Sequence, residues 1–247
     1  MNRKYAFIFA LLLAGLIMCD IFILNSFSIK TDTMESVIIK RVIDGDTIEL
    51  SDNRIIRLAN INSPEKNTLY SNLSIIFLKS FENKTVEVEI LGKDKYNRYL
   101  ARVYGPSYIN LEIVSMGLAS KFLVNDKELD KFAEAEKKAI ENSLGIWKKS
   151  EFFGCFDSSI DSIKEEVILK NNCPDINLYG WIVKDESRKT YIFPNISFTK
   201  IKLHSEAGIS NSTDLFLKFG DIWNNDRDSL YLFDNMGRLA HYETYGY

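Results

Sequence analysis

The amino-acid sequence predicts a mainly β protein with some α-helix: a small closed β-barrel of the OB-fold type followed by an antiparallel β-sandwich. Five short segments in which apolar residues alternate lie between residues 37 and 104. Helical patterns separate the third of these segments from the fourth and follow the fifth. From residue 167 onward, short apolar segments are divided by turn-rich stretches without a helical run, which is typical of a sandwich.

The composition is that of an ordinary globular protein. With 247 residues, of which 46% are hydrophobic, the chain is long enough for a sizeable core in one or two domains. The net charge is -3, but residues 37–150 carry 18 Lys and Arg against 16 Asp and Glu, whereas residues 151–247 carry 10 against 15. We therefore expect any contact with a polyanion in the first of these segments.

The amino terminus predicts export. Arg3 and Lys4 precede an apolar run, so residues 1–24 are expected to be a signal peptide or a membrane anchor, and lipidation of Cys19 is a third option. Residues 25–36 are polar and are expected to form a tether. The protein is accordingly expected outside the cytoplasm, either secreted or anchored to the cell membrane.

The barrel is expected to occupy residues 37–149. The period-two pattern predicts strands over residues 37–42, 47–50, 54–61, 84–91 and 99–104. The helical spacing of apolar residues predicts helices over 69–81, 110–116 and 127–143.

Residues 150–164 are polar and are expected to be a linker before a second domain at residues 165–247. Strands are expected there at residues 167–169, 181–183, 191–193, 201–203, 215–217 and 230–233. Cys155 and Cys173 are one possible disulfide pair if the protein is exported, and two unpaired thiols if it is not.

Acidic and basic residues occupy unusual places in the barrel segment. Asp44 and Asp46 share one tight turn, Arg57 lies within an apolar strand pattern, Glu65 follows a proline corner and Arg98 precedes the fifth strand. Hydrolysis of a phosphodiester requires charge neutralisation at the phosphoryl group, a positioned water and usually a metal ion. Each feature alone is more often structural, but their order and strand context together favour such a site.

The motifs that carry these residues resemble the thermonuclease, or staphylococcal nuclease-like, family. The resemblance covers roughly residues 37–149 and rests on VIDGDTIEL, RIIRLANINSPE, DKYNRYLARVY and the closing GIW. It implies an exported, Ca2+-dependent nuclease that hydrolyses DNA, RNA or both with broad sequence preference. We expect nucleic acid as the partner and a monomeric chain.

The resemblance also implies roles for individual residues. The residues matching the catalytic positions are Arg57 and Arg98, which would hold the scissile phosphate, and Glu65, which would activate the attacking water. Lys95 and Tyr96 match residues that line the nucleotide pocket.

The same resemblance implies a calcium site. Its ligands would be Asp46, Asn62 and the backbone carbonyl of Ser63, with Asp44 supporting the metal from behind these ligands. Oxygen ligands of this kind suit Ca2+.

This sequence departs from the family pattern at several positions. Asn62 stands where the family has a second calcium carboxylate, Leu123 and Asn125 replace tyrosines that stack on the base, and the connection after Glu65 is short. The alternative function is therefore a surface-tethered nucleic-acid-binding or adhesion protein whose nuclease site has decayed.

A second resemblance covers roughly residues 165–247. The motifs NLYGWIVKDE, TYIFP and STDLFLKFGDIWNNDRDSLYLFDNMGRL resemble the lamin-tail domain, an Ig-like sandwich. We expect Trp181 and Trp223 to fill its core. The resemblance does not indicate the ligand of this domain.

Overall fold

Five strands close into the predicted barrel. The computed structural model describes residues 34–66, 70–187 and 189–247, so the expected signal or anchor segment lies outside the described residues, as does most of the tether. The strand order is β1-β2-β3-β6-β5, in which β3 and β6 are parallel and the other pairs antiparallel. The bounds are β1 Met34–Asp44, β2 Thr47–Leu50, β3 Ile55–Leu58, β5 Thr85–Lys93 and β6 Tyr99–Tyr104.

Helices cover the barrel at the three predicted places. They are α1 Ser71–Lys79, α2 Ile109–Ser115 and α3 Leu129–Glu141, and a 3-10 helix follows at Gly145–Trp147. On α3, the buried residues Phe132, Glu136, Ala139 and Ile140 recur at the spacing of one helical face. In the part of the chain that the structure describes, no helix is long and apolar enough to cross a lipid bilayer.

The third predicted strand is interrupted, and this interruption shapes the site. The barrel strand β3 ends at Leu58, and Asn60 adopts a left-handed backbone conformation with φ 65°. The chain then forms the short strand β4 (Ile61–Asn62), which pairs with β7 (Ser120–Lys121) in a separate two-stranded sheet. The prediction of one continuous strand over 54–61 was therefore wrong, because asparagine tolerates the turn that redirects the chain.

Two four-stranded sheets form the second part of the chain, as the strand spacing predicted. Their orders are β11-β10-β14-β15 and β13-β12-β9-β8. Trp181 and Trp223 lie buried in the core between them, as expected. The bounds are β8 Phe156–Asp161, β9 Glu166–Asn171, β10 Ile182–Lys184, β11 Thr190–Ile192, β12 Lys200–His204, β13 Asp214–Phe216, β14 Asp228–Phe233 and β15 Leu239–Tyr245.

Three details of this part differ from the expectation. The segment 150–164, expected to be a linker, contains β8, which pairs along its length with β9. Residues 239–245 form β15, which the sequence pattern did not predict. The pairing of β12 with β13 is parallel, so the sandwich is not wholly antiparallel.

A disulfide joins Cys155 to Cys173, with their Cα atoms 5.3 Å apart. It links the start of β8 to the chain just after β9, across a sequence separation of 18 residues. The predicted pairing is thus confirmed. In the chain-entropy account, closing a loop of this size stabilises the fold by about 3 kcal/mol.

One face of the β11-β10-β14-β15 sheet packs against the barrel half (residues 34–149), and the other faces the core of the sandwich half (residues 150–247). Because side chains alternate along a strand, Leu230 and Leu232 enter the sandwich core while Tyr231 and Phe233 point the opposite way. There the ring centroids of Trp147 and Tyr231 lie 5.0 Å apart. Trp147 and Tyr231 are both fully buried in a cluster that joins the two halves.

A buried lysine at this junction pairs with one carboxylate from each half. The Lys121 ammonium lies 2.8 Å from Glu136 on α3 and 2.7 Å from Glu186 of the sandwich half, and it donates to the Ser229 hydroxyl at 2.7 Å. Burial alone would lower the pKa of Lys121, but the two carboxylates raise it above its ordinary value. The ammonium therefore stays charged, and each carboxylate depends on it for charge neutralisation.

Replacing this lysine should destabilise the whole described fold. Lys121→Met leaves Glu136 and Glu186 buried without their cation, so the free energy of unfolding should fall by about 3–5 kcal/mol. Urea unfolding followed by tryptophan fluorescence measures this loss. Lys138→Met on α3 is the matched control, because Lys138 pairs with Glu134 at the surface and its loss should cost less than about 1 kcal/mol. Equal losses of unfolding free energy in Lys121→Met and Lys138→Met would contradict a stabilising role for the buried ion cluster of Lys121.

Candidate active site

The turn between β1 and β2 places Asp46 at the bottom of the site. Asp46 is fully buried, and its carboxylate accepts hydrogen bonds from the Thr47 hydroxyl at 2.8 Å and the Ser63 hydroxyl at 3.0 Å. Gly45 permits this arrangement, because a Cβ at that position would lie 2.2 Å from the Ser74 hydroxyl oxygen of α1 and 2.9 Å from Ser63. The turn can therefore approach the loop after β4 only with glycine at its centre.

Arg57 crosses from β3 to the same carboxylate. Its guanidinium lies 3.1 Å from Asp46 and donates to the carbonyl oxygens of Leu58 at 2.6 Å and Ile61 at 2.8 Å. Asp46 and the carbonyl oxygens compensate the cost of burying this charge, since the arginine side chain is only 8% exposed. The strand arginine that looked unusual in the sequence is therefore fixed beside Asp46.

Arg98 reaches the site from the turn between β5 and β6. Asp94 holds it there, because one carboxylate oxygen accepts the Arg98 Nε–H at 2.7 Å and the other accepts the Arg98 backbone N–H at 2.9 Å. Burial would raise the pKa of Asp94, but these bonds hold it below its ordinary value. The guanidinium also donates to the Thr47 hydroxyl at 3.4 Å, which in turn donates to Asp46.

The predicted nucleotide-binding residues sit on the same turn as Arg98. Lys95 and Tyr96 are exposed, and the Tyr96 ring lies 5.1 Å from the Lys95 ammonium and 5.5 Å from the Arg98 guanidinium. An exposed tyrosine with a cation nearby is suited to stacking on a base. Leu123, at the position of a missing stacking tyrosine, is 72% exposed, and the Asn125 amide donates to Glu128.

Glu65 is exposed on the loop after β4 and lines a cavity of about 210 Å³. Asn62 and Ser63 line the same cavity from the barrel half, and Lys184 lines it from β10 of the sandwich half. Burial lowers the pKa of Lys184, although nearby carboxylates, Glu65 among them, act to raise it. The described fold thus places a cation from the sandwich half beside three predicted site residues, Asn62 at the end of β4 and Ser63 and Glu65 on the loop after it.

Asn62 makes a contact that an aspartate could not make. Its amide nitrogen donates to the backbone carbonyl of Glu186, at 3.1 Å, and the residue is buried. A carboxylate has no proton to donate at neutral pH and would face that carbonyl oxygen with like charge. The amide at this position therefore serves the junction between the halves, whatever it contributes to a metal.

The predicted calcium ligands offer oxygen donors only. Asp46 and Ser63 are already in contact, Asn62 precedes Ser63 in the chain, and the Asp44 carboxylate accepts the Gly45 N–H at 2.8 Å. Carboxylate, amide and carbonyl oxygens are the ligands that Ca2+ prefers, so the donor set fits this ion. Across residues 34–66, 70–187 and 189–247, no group of three or more His, Cys, Asp or Glu side chains forms a candidate metal site.

Comparison with known proteins agrees with this geometry. The family model of the Staphylococcal nuclease homologue matches residues 55–149. An uncharacterized endonuclease of Escherichia coli O157:H7 is 33% identical over 116 residues, which are 45% of this chain and 76% of that protein. The chain belongs to the staphylococcal nuclease family.

Two further relatives are also named as nucleases. The thermonuclease of Staphylococcus intermedius is 37% identical over 131 residues, which are 47% of this chain and 77% of that protein. The endonuclease YhcR of Bacillus subtilis is 28% identical over 182 residues, which are 64% of this chain and 14% of that protein. The protein is accordingly a thermonuclease-like endonuclease, and its substrate is nucleic acid.

Two residues of this nuclease site were missed in the sequence. Thr47 bridges Arg98 to Asp46, and Asp94 fixes the Arg98 side chain. A signal for Asp94 was present, since an aspartate four residues before an arginine in a hairpin turn can accept both its backbone and its side-chain N–H. Thr47 gave no signal, because a threonine at the start of a strand is ordinary.

The turn that holds Arg98 recurs in the sandwich half and offers a matched control. In both DKYNR and DNMGR, the aspartate accepts the backbone N–H groups two and four residues on and the arginine Nε–H. Arg238, however, pairs with Glu151 at the surface of the sandwich half.

We expect Arg98→Ala to reduce cleavage by about 100-fold or more, because a charge-assisted contact to the reacting phosphate is lost. Arg238→Ala should leave the specific activity unchanged while removing the same guanidinium contact to a turn aspartate. Initial rates on single-stranded DNA, with thermal melting of each variant, make the comparison. Equal rates in the two variants would exclude Arg98 from the site.

Asn62→Asp tests whether Asn62 both joins the two halves and belongs to a calcium site. Loss of the buried hydrogen bond to Glu186 should lower the free energy of unfolding by about 1–3 kcal/mol in the presence of a chelator. If residue 62 also binds Ca2+, added calcium should restore more stability to Asn62→Asp than to the wild type. Unchanged stability in chelator would show that the amide does not join the two halves.

Proposed function

We propose that this protein is an exported, Ca2+-dependent nuclease that hydrolyses phosphodiester bonds of DNA, RNA or both with broad sequence preference. The observation that carries the proposal is the convergence of two arginines on one buried carboxylate. Arg57 contacts Asp46 directly, and Arg98 reaches it through the Thr47 hydroxyl. This arrangement places two cations beside an acid in the same corner of the barrel.

Calcium binding is proposed at Asp46, Asn62 and the Ser63 carbonyl, with Asp44 as a supporting acid. Bound there, Ca2+ would polarise a phosphoryl oxygen and neutralise part of the charge that develops on it. One carboxylate among the three ligands gives a weak site. Such weakness is compatible with a site outside the cell, where calcium modules work with dissociation constants of about 10⁻⁴ to 10⁻³ M.

The protein side chains would then divide the remaining tasks. Arg57 and Arg98 would bind the phosphoryl oxygens, and their fixed positions mean that little reorganisation is needed when charge develops. Glu65 would accept a proton from the attacking water or orient it opposite the leaving oxygen. Lys95 and Tyr96 would contact the adjoining nucleotide.

Broad sequence preference follows from the chemistry of these groups. Guanidinium and ammonium groups bind the sugar-phosphate backbone, which is the same in every sequence, and an exposed tyrosine stacks on any base. Leu123 and Asn125 are not aromatic and offer no further surface on which a base could stack. We therefore propose that single strands of either nucleic acid are substrates.

Export and the nature of the sandwich half belong to the proposal. The disulfide between Cys155 and Cys173 supports export, since disulfides persist in oxidising compartments. We propose cleavage or retention of residues 1–24 at the cell membrane, a monomeric chain, and a lamin-tail-like Ig domain formed by the sandwich half, which includes β8. Thiol titration of the natively produced protein, after unfolding without reductant, tests the disulfide on which this support for export rests, and reactive thiols at both Cys155 and Cys173 would remove that support.

Removing the buried acid tests the proposed calcium site. Asp46→Asn should reduce cleavage of single-stranded DNA and RNA by about 100-fold or more and raise the Ca2+ concentration needed for half-maximal rate. Asp52→Asn is the control, because it removes the same charge from the exposed β2–β3 turn, where Asp52 pairs with Arg54. A wild-type protein that cleaves neither nucleic acid at any calcium concentration would favour the alternative of a decayed, nucleic-acid-binding site.

A further inference from the structure

The cavity between the two halves is lined by Lys184, a cation that lies outside the residues matched by the nuclease family model. Lys184 ends strand β10 of the sandwich half, outside the residues matched by the family model. It lines the cavity opposite Asn62, Ser63 and Glu65. A side chain from the sandwich half therefore borders the predicted catalytic loop directly.

Strand geometry directs Lys184 toward the barrel half. Side chains alternate along β10, and Val183 is buried in the sandwich core. Ile182 and Lys184 therefore share the opposite face, where they pair across the sheet with Phe233 and Tyr231 of the junction. The position of the lysine is thus set by the same sheet face that packs on Trp147.

The contact between Asn62 and Glu186 fixes the distance between this strand end and the loop. Glu186 follows Lys184 by two residues, and its backbone carbonyl accepts the Asn62 amide at 3.1 Å. Its carboxylate pairs with Lys121, the neighbour of Ser120 in β7, the strand that pairs with β4. Two buried contacts therefore clamp the end of β10 against the start of the loop that carries Glu65.

Among the carboxylates that act on Lys184, Glu65 is distinguished by its position. Glu136 and Glu186 both bind Lys121, and Asp185 accepts hydrogen bonds from Ser187. Glu65 lines the same cavity as Lys184, and its charge, after those of Asp185, Glu136 and Glu186, acts to raise the pKa of that lysine. An ammonium on the wall of that cavity attracts the Glu65 carboxylate toward the sandwich half.

We propose that Lys184 is a positioning residue of the nuclease, which holds the Glu65 carboxylate in place for the attacking water. The proposal rests on the proposed role of Glu65. It makes the sandwich half a working part of the active site, because the barrel half alone would lack this cation.

A double-mutant cycle on the full-length protein tests the proposal. Lys184→Met should lower kcat on a fluorescently labelled single-stranded DNA by about tenfold with little change in KM, because misplaced groups slow the chemical step. Lys184→Arg, which keeps the charge, should restore most of kcat. In a Glu65→Gln background, Lys184→Met should have almost no further effect on kcat.

Lys170→Met is the matched control. It removes an exposed lysine from β9, in the other sheet of the sandwich half, and should change neither kcat nor KM. Thermal melting of all variants checks that each one is folded. An equal loss of kcat from Lys184→Met in the wild-type and Glu65→Gln backgrounds would overturn the proposal.

Other outcomes would also overturn it, each in a recognisable way. A raised KM and a smaller salt dependence of binding to the same DNA in chelator would make Lys184 a phosphate contact instead. A higher kcat in Lys184→Met would show that the Lys184 side chain inhibits cleavage.

Measurements of stability distinguish failure of the Lys184 proposal from failure of the proposed nuclease function. If the wild type does not cleave, urea midpoints of the same four proteins still report whether the effects of Lys184 and Glu65 depend on each other. Non-additive midpoints would support an interaction between the two residues while rejecting its role in catalysis, and additive midpoints would reject the interaction as well.

Discussion

The buried ammonium of Lys121 is the interaction on which the two halves depend. Its two carboxylate partners come from α3 and from the loop after β10, so neither half alone completes the pairing. Lys121 also lies in β7, which pairs with the strand that carries Asn62. A disturbance of this ion cluster would therefore reach both the junction and the loop of the candidate site. The arrangement makes the geometry of the candidate site depend on both halves of the described chain.

Sequence patterns predicted the barrel well because its strands have one face in the core. Alternation from Val37 to Tyr104 has a direct physical cause, as do the three helical stripes. The arginines and acids of the site were also visible, since charged groups in an apolar strand or a tight turn contradict the local pattern. These contradictions were informative because burial of a charge requires a partner.

Other elements could not be read in the same way. Strands β8 and β15 are the end strands of their sheets, and their sequences FDSSID and LAHYETY mix polar residues with apolar ones, so the alternation is weak. The burial of Lys121 depends on Glu136 and Glu186, which are distant in sequence, and lysine by itself indicates a surface position. Lys184 carries no motif at all, and only the packing of β10 against the barrel half brings it near Glu65.

Asn62 shows how a departure from a family pattern changes meaning once the fold is known. In the sequence, an amide in place of a carboxylate looks like the loss of a metal ligand. In the structure the amide donates a buried hydrogen bond to the sandwich half. The sandwich half packs directly on Asn62 and creates a need for a hydrogen-bond donor there, and a carboxylate could not meet that need.

The turn that holds Arg98 and its counterpart at Arg238 have a consequence for protein engineering. Five residues hold a guanidinium against its own hairpin in both places, so the pentapeptide is a structural part that occurs between two different pairs of strands. The part has no chemistry of its own, however, because its surroundings differ in the two places: a threonine hydroxyl linked to a buried acid in one, and a surface glutamate in the other. A designer who wished to move the proposed phosphate-binding arginine to another scaffold would have to transplant the neighbouring strand together with the turn.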